Sequence, residues 1–165
     1  MKNKERTKNL ALAAVLAALT AVVTAYVLHI PTPTGYIHFG DSLIYLAACV
    51  LPKPYAMAVG AIGGGVADLL TAPAWTLPTV IIKMLIVLAF SSKSNKIVTK
   101  RNIVAGILAF FISATGYFLA ESLVFGYEVA FITSVTGSAI QSFGSLAAFV
   151  VFGLALDKMN IKRSM

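Results

Sequence analysis

Apolar residues run along the chain in six blocks, with polar residues gathered between them: 10–30, 41–51, 55–70, 77–90, 103–125 and 129–156. A membrane-crossing helix needs about 20 predominantly apolar residues, within a range of about 17–25. The first, fifth and sixth blocks meet that length. The middle three are shorter and suit a compact bundle better than straight rods. The second either extends back through His38 or sits tilted. The sixth is long enough to predict irregular first turns or a tilted axis. Pro31 and Pro33 stop the first block, and "PKP" at 52–54 stops the second. The pattern predicts an all-α integral membrane protein, a compact bundle of six transmembrane helices in one domain. Residues 1–9 and 157–165 would be its polar ends.

Composition removes the soluble alternative. Hydrophobic residues make up 59% of the 165 and charged ones 12%, against about 45–50% and 25% in soluble domains. Mean hydropathy is +0.89. The basic start "KNKERTK" resembles the head of a signal peptide. The apolar run behind it, 10–30, exceeds the roughly 7–15 residues of a signal core, which predicts a retained first span. Cys49 is the one cysteine. It excludes an internal disulfide and reads as a small core residue. No Cys/His spacing suits a metal.

Charge sets the orientation. The net charge is +7, but 12 of the 13 Lys and Arg residues lie between or beyond the apolar blocks; the exception is Lys83. Four precede the first block, Lys53 follows the second, four lie in 91–102, and three lie in the C-terminal tail. The 31–40 and 71–76 segments carry none, and the 126–128 turn carries only Glu128. The alternation predicts both termini in the cytoplasm by the positive-inside rule. Topology-setting charge of this kind argues against a nucleic-acid partner; the partner it implies is the lipid bilayer.

Four ionisable residues fall within the apolar blocks: Asp41, Asp68, Lys83 and Glu121. Each costs about 2.5–3.5 kcal/mol at the centre of a span on insertion scales. At about 1.5 Å per residue, Lys83 lies about 9 Å below the outer start of its block and Glu121 about 6 Å below the outer end of its own. Asp41 and Asp68 lie at outer ends, so all four share the outer half. Tyr117 shares a helix face with Glu121, and Thr79 with Lys83. Trp75 precedes the fourth block. Ser134, Ser138, Gln141 and Ser145 form one stripe on the sixth. The set predicts an outer pocket with aromatic walls and a few polar anchors. Each residue also has a structural reading. Lys83 could pair with Asp68 or Glu121, Asp41 could cap its helix, and His38 and Trp75 could anchor at the interface. The serines could be packing polar groups, with Gln141 the one that contacts ligand.

Small residues recur at a spacing of four: Ala14 and Ala18 in "AAVLAALTA", Gly60 and Gly64 in "GAIGGG". Such faces let helices approach closely, and an alanine face on the first span could instead dock a partner. The glycines do not form a nucleotide loop, because no strand precedes them and no Lys-Ser/Thr follows. His29 and His38 do not lie deep, and "HExxH" is absent. Neither a catalytic residue nor a cofactor is expected. An autonomous small-solute secondary transporter or channel is the alternative within transport; it would need polar residues continuing into the cytoplasmic half.

With "ALAAVLAAL" on the first span, "GYIHFGDSLIYLAACVLPKPYAMAVGAIGGGVADLL" and "APAWTLPTVIIKMLIVLAF", the chain resembles the S components of energy-coupling factor (ECF) vitamin transporters, over about 10–156. It is similar to the branch that includes the riboflavin and hydroxymethylpyrimidine types. The resemblance implies a subunit in the plasma membrane of a prokaryote. It would capture a vitamin from outside, dock on a transmembrane coupling protein carrying two cytoplasmic ATPases, and topple to deliver it. The docking motif maps onto Ala14 and Ala18. The binding residues implied are Tyr36, His38, Trp75, Thr79, Lys83, Tyr117, Glu121 and Gln141. Asp41 and Asp68 are taken as structural. One tryptophan disfavours a thiamine-type site. A small ring such as pyridoxine, pyridoxamine or hydroxymethylpyrimidine is expected, with riboflavin kept as an alternative.

Overall fold

The computed structural model describes residues 2–27, 29–32 and 35–164. Six helices carry the architecture: α1 (Lys2–Tyr26), α2 (Asp41–Val50), α3 (Lys53–Thr71), α4 (Thr76–Ala89), α5 (Lys100–Phe125) and α6 (Tyr127–Lys158). A 3-10 turn, Pro73–Trp75, leads into α4, and a four-residue helix, α7 (Ile161–Ser164), closes the chain. Short connections make the helices run up and down between two ends. One end holds residues 29–32 and 35–40, the 71–75 connection and Gly126. The other holds the start of α1, the end of α6, the 51–52 turn and the 90–99 loop.

Among the described residues, three helices are long and apolar enough to cross a membrane: Asn3–Tyr26, Lys100–Phe125 and Tyr127–Lys158; Asp41–Val50 and Pro73–Ala89 are shorter apolar helices. The short middle blocks therefore form short helices. The sixth block departs from expectation, because α6 runs unbroken from Tyr127. The first departs more. Its helix ends at Tyr26, and Ile30 belongs to a strand. Strands β1 (Ile30–Thr32) and β2 (Gly35–Ile37) pair antiparallel, with Pro31 opposite Tyr36. Pro33, the second expected stop, lies outside the described residues.

Local chemistry explains the ends. Thr99 caps α5 by accepting from the Asn102 amide at 3.2 Å. Pro52 and Pro54 flank the first residue of α3, where proline costs little. Gly126, at φ 82°, makes the α5–α6 turn in the left-handed region that favours glycine. The Lys53 ammonium donates to the carbonyls of Val87 (2.7 Å), Leu88 (2.9 Å) and Phe90 (2.6 Å). It thus satisfies the orphan acceptors at the end of α4 and complements its dipole.

Helix α2 is the core: eight of its ten residues are buried. It packs against α1, α3, α4 and α6. Its Tyr45 stacks on Phe90, ring centroids 4.7 Å apart, and Phe149 closes edge-on at 6.0 and 5.8 Å. All three are fully buried. The glycines of "GAIGGG" bring α4 against α3. A Cβ on Gly60 would lie 3.2 Å from the Lys83 carbonyl oxygen, and one on Gly64 would lie 3.0 Å from Thr79 Cγ2. The outward faces stay apolar, with Leu19, Ile62, Leu85, Leu108 and Phe152 exposed. In water such a surface would be a liability; in a bilayer it meets acyl chains.

Candidate functional site

Polar side chains collect at the end of the bundle that carries the hairpin, on the hairpin side of the Tyr45–Phe90–Phe149 cluster. At their base lies a buried ion pair. Lys83 Nζ on α4 donates to Asp41 Oδ2 on α2 at 2.8 Å, with side-chain exposures of 1% and 0%. Gln141 on α6 donates to the same oxygen at 3.1 Å. The pairing corrects two expectations. Asp41 opens α2, but its helix has no side-chain cap; its carboxylate is spent on Lys83 and Gln141 instead. Lys83 pairs with neither Asp68 nor Glu121. Its ammonium lies 5.8 Å from the centre of the Tyr117 ring.

Above this pair lies a cavity of about 70 Å³. Of the eight residues expected to contact ligand, Tyr36, His38, Trp75, Thr79, Tyr117, Glu121 and Gln141 line it. Lys83 does not; Asp41 holds it behind the wall. Helical spacing brings the others together. Tyr117 and Glu121 face inward from α5, and the Tyr117 hydroxyl bonds Thr79 on α4 at 2.9 Å. Ser134, Ser138 and Gln141 line the α6 wall, whereas Ser145 is buried further down and does not.

The hairpin closes the top. Tyr36 donates to Asp68 of α3 and stacks on His29, ring centroids 4.1 Å apart. Burial, and then the Asp68 charge, push the Tyr36 phenol well above its ordinary value, so it remains a donor. His38 is driven the other way, to about 4, chiefly by burial. It is neutral at ordinary pH. The Gly40 amide donates to His38 Nδ1 at 3.1 Å, which leaves Nε2 as the ring's N–H donor.

Several lining residues escaped the sequence reading. Asp68, expected to be structural, lines the cavity, as do Thr32, Ile37, Thr133 and Gly137. Thr133 donates to Glu121. Thr133 and Gly137 lie four apart, beside the serine stripe, and extending that stripe by one position would have found them. No sequence signal marks Thr32 and Ile37, because the hairpin alone brings them in. Ala14 and Ala18 lie on the exposed face of α1, while Ala13 and Ala17 turn inward.

A family model described as "ECF-type riboflavin transporter, S component" matches residues 4–158. An "Uncharacterized protein in gap 3'region" of Pyrococcus woesei is 36% identical over 63 residues. That stretch is 37% of this chain and 43% of the relative's length, so it spans less than half of either.

Proposed function

The chain belongs to the family of ECF-type transporter S components, substrate-binding subunits for vitamin uptake, and on that premise we propose that its hairpin-covered cavity captures a small single-ring vitamin or vitamin precursor from outside the cell. Members of this family are transporter subunits rather than enzymes, and they work with a membrane coupling protein and ATPases.

The observation that carries the reading is the convergence of seven expected contact residues, from four separate segments, on one cavity. Orientation follows from charge. All Lys and Arg residues except Lys83 lie at or beyond the helix ends opposite the hairpin. Those ends would face the cytoplasm and the pocket would face outward. Six crossings in one domain, with both termini inside, follow from the same charges.

Size favours a pyridoxine, pyridoxamine or hydroxymethylpyrimidine type of ligand. The cavity is about 70 Å³, against about 150 Å³ for an engineered cavity that admits benzene. A single ring needs a small retreat of the hairpin. The three fused rings and polyol chain of riboflavin need a large one. The exposed Ala14–Ala18 face of α1 would dock on the coupling protein, and toppling on that surface would turn the loaded pocket inward. The alternative, an autonomous transporter or channel, gains nothing from the aromatic cluster below the pocket, which offers no polar path.

The test is mass spectrometry of the small molecules that leave with the protein when it is purified in mild detergent and then denatured. A stoichiometric single-ring vitamin or precursor is the expected result. A stoichiometric flavin would overturn the substrate reading, and a protein that neither retains nor binds any vitamin would overturn the capture role.

A further inference from the structure

We propose that the pocket selects a ring of net positive charge, as a ring-borne ammonium confers, and excludes anionic forms such as phosphate esters. This inference rests on the capture role above and narrows its substrate class.

Charge accounting around the cavity carries it. Two carboxylates line the wall, Asp68 from α3 and Glu121 from α5, exposed by only 4% and 8%. Among the described residues no Lys or Arg lines it. The nearby cation, Lys83, is committed to Asp41 at 2.8 Å, so that pair contributes no net charge. His38 accepts from the Gly40 amide and adds none either. Thr133 donates to Glu121 Oε2, and no described residue bonds the other oxygen. Tyr36 donates to Asp68 through one oxygen.

A neutral hydroxyl donor does not neutralise a carboxylate. Two acidic groups in a half-open pocket between apolar helices are costly as carboxylates unless a positive charge joins them. A bound cation supplies that charge and can donate to Glu121. The Tyr117 ring already faces one ammonium at 5.8 Å, and aromatic walls favour cations further. An anion would lose its hydration and meet charges of its own sign.

The experiment is isothermal titration of the full chain in detergent at neutral pH with three ligands of one ring type: pyridoxamine, pyridoxine and pyridoxine 5′-phosphate. One charge-assisted hydrogen bond contributes about 1.5–3 kcal/mol. Pyridoxamine is therefore expected to bind at least about tenfold tighter than pyridoxine, with no detectable binding of the phosphate ester. Glu121→Gln and Asp68→Asn keep the side-chain shape and should collapse the amine-to-alcohol ratio. Equal affinity for amine and alcohol, or tight binding of the ester, would overturn the inference while leaving the capture role standing. If none of these three, hydroxymethylpyrimidine or riboflavin binds, and no vitamin leaves with the purified protein, the capture role falls and the inference falls with it.

Discussion

Lys83 and Asp41, 42 positions apart in sequence, meet at 2.8 Å with neither side chain more than 1% exposed. The pair joins α4 to the core helix α2, and Gln141 brings in α6 through the same oxygen. Breaking a buried pair from one side strands the other charge, which costs about 3–5 kcal/mol, whereas replacing both with apolar groups is often near neutral. Lys83→Met should therefore lower the melting temperature in detergent sharply, and Lys83→Met with Asp41→Leu should recover most of the loss. Two independent, additive losses in the double-mutant cycle would show that the pair is not structural.

Glu121 presents a different case. It lines the cavity, and its one bonded partner among the described residues is Thr133. Glu121→Ala should weaken ligand binding by about tenfold or more, the scale of one charged hydrogen bond. The melting temperature of ligand-free protein should change little. Calorimetric titration and a melting curve on the same preparation separate the two effects, and unchanged affinity would remove Glu121 from the site.

Ala14 and Ala18 are exposed on α1 and lie far along the helix from the cavity. Ala14→Trp or Ala18→Trp should leave ligand affinity intact in the isolated subunit. Vitamin uptake by cells carrying the assembled transporter should be lost, because a bulky ring prevents close helix approach. Normal uptake by both variants would place docking elsewhere.

His38 makes stability depend on pH. Its folded value lies near 4, below the ordinary 6.5, chiefly because burial disfavours the charged ring. Between those values the unfolded chain takes up a proton that the folded chain refuses, so stability falls as pH drops from about 6.5 towards about 4. Above that window the contribution is fully present. Melting curves from pH 7.5 to 4.5 should show a decline in the wild type that is shallower in His38→Gln; identical slopes would contradict a buried neutral ring.

The helices were legible because apolar length alone announces a spanning segment. The cavity-lining residues of α5 and α6 were legible because a spacing of three or four puts them on one face. Both signals are local. The hairpin was not legible: strands of three residues carry no period, and Pro31 reads as a stop. The Lys83–Asp41 pair was not legible either, since a charge in a span says that it needs a partner but not which one. Close packing at Gly60 and Gly64 fixes the position of Lys83, and that depends on how α3 and α4 cross. Lys53 illustrates the same gap. It reads as a topology-setting charge, yet its ammonium is bonded to three carbonyls at the end of α4.

The stacked rings of Tyr45 and Phe90, sealed by Phe149, would set the arithmetic of the proposed delivery. A vessel closed at its base cannot leak its contents as a stream down a gradient. Under the proposed capture role it would empty only through the mouth by which it filled. Loading and unloading would then be separated in time, and each round would carry a whole-number load. With one molecule to a pocket, the count delivered would equal the count of completed rounds and never exceed it.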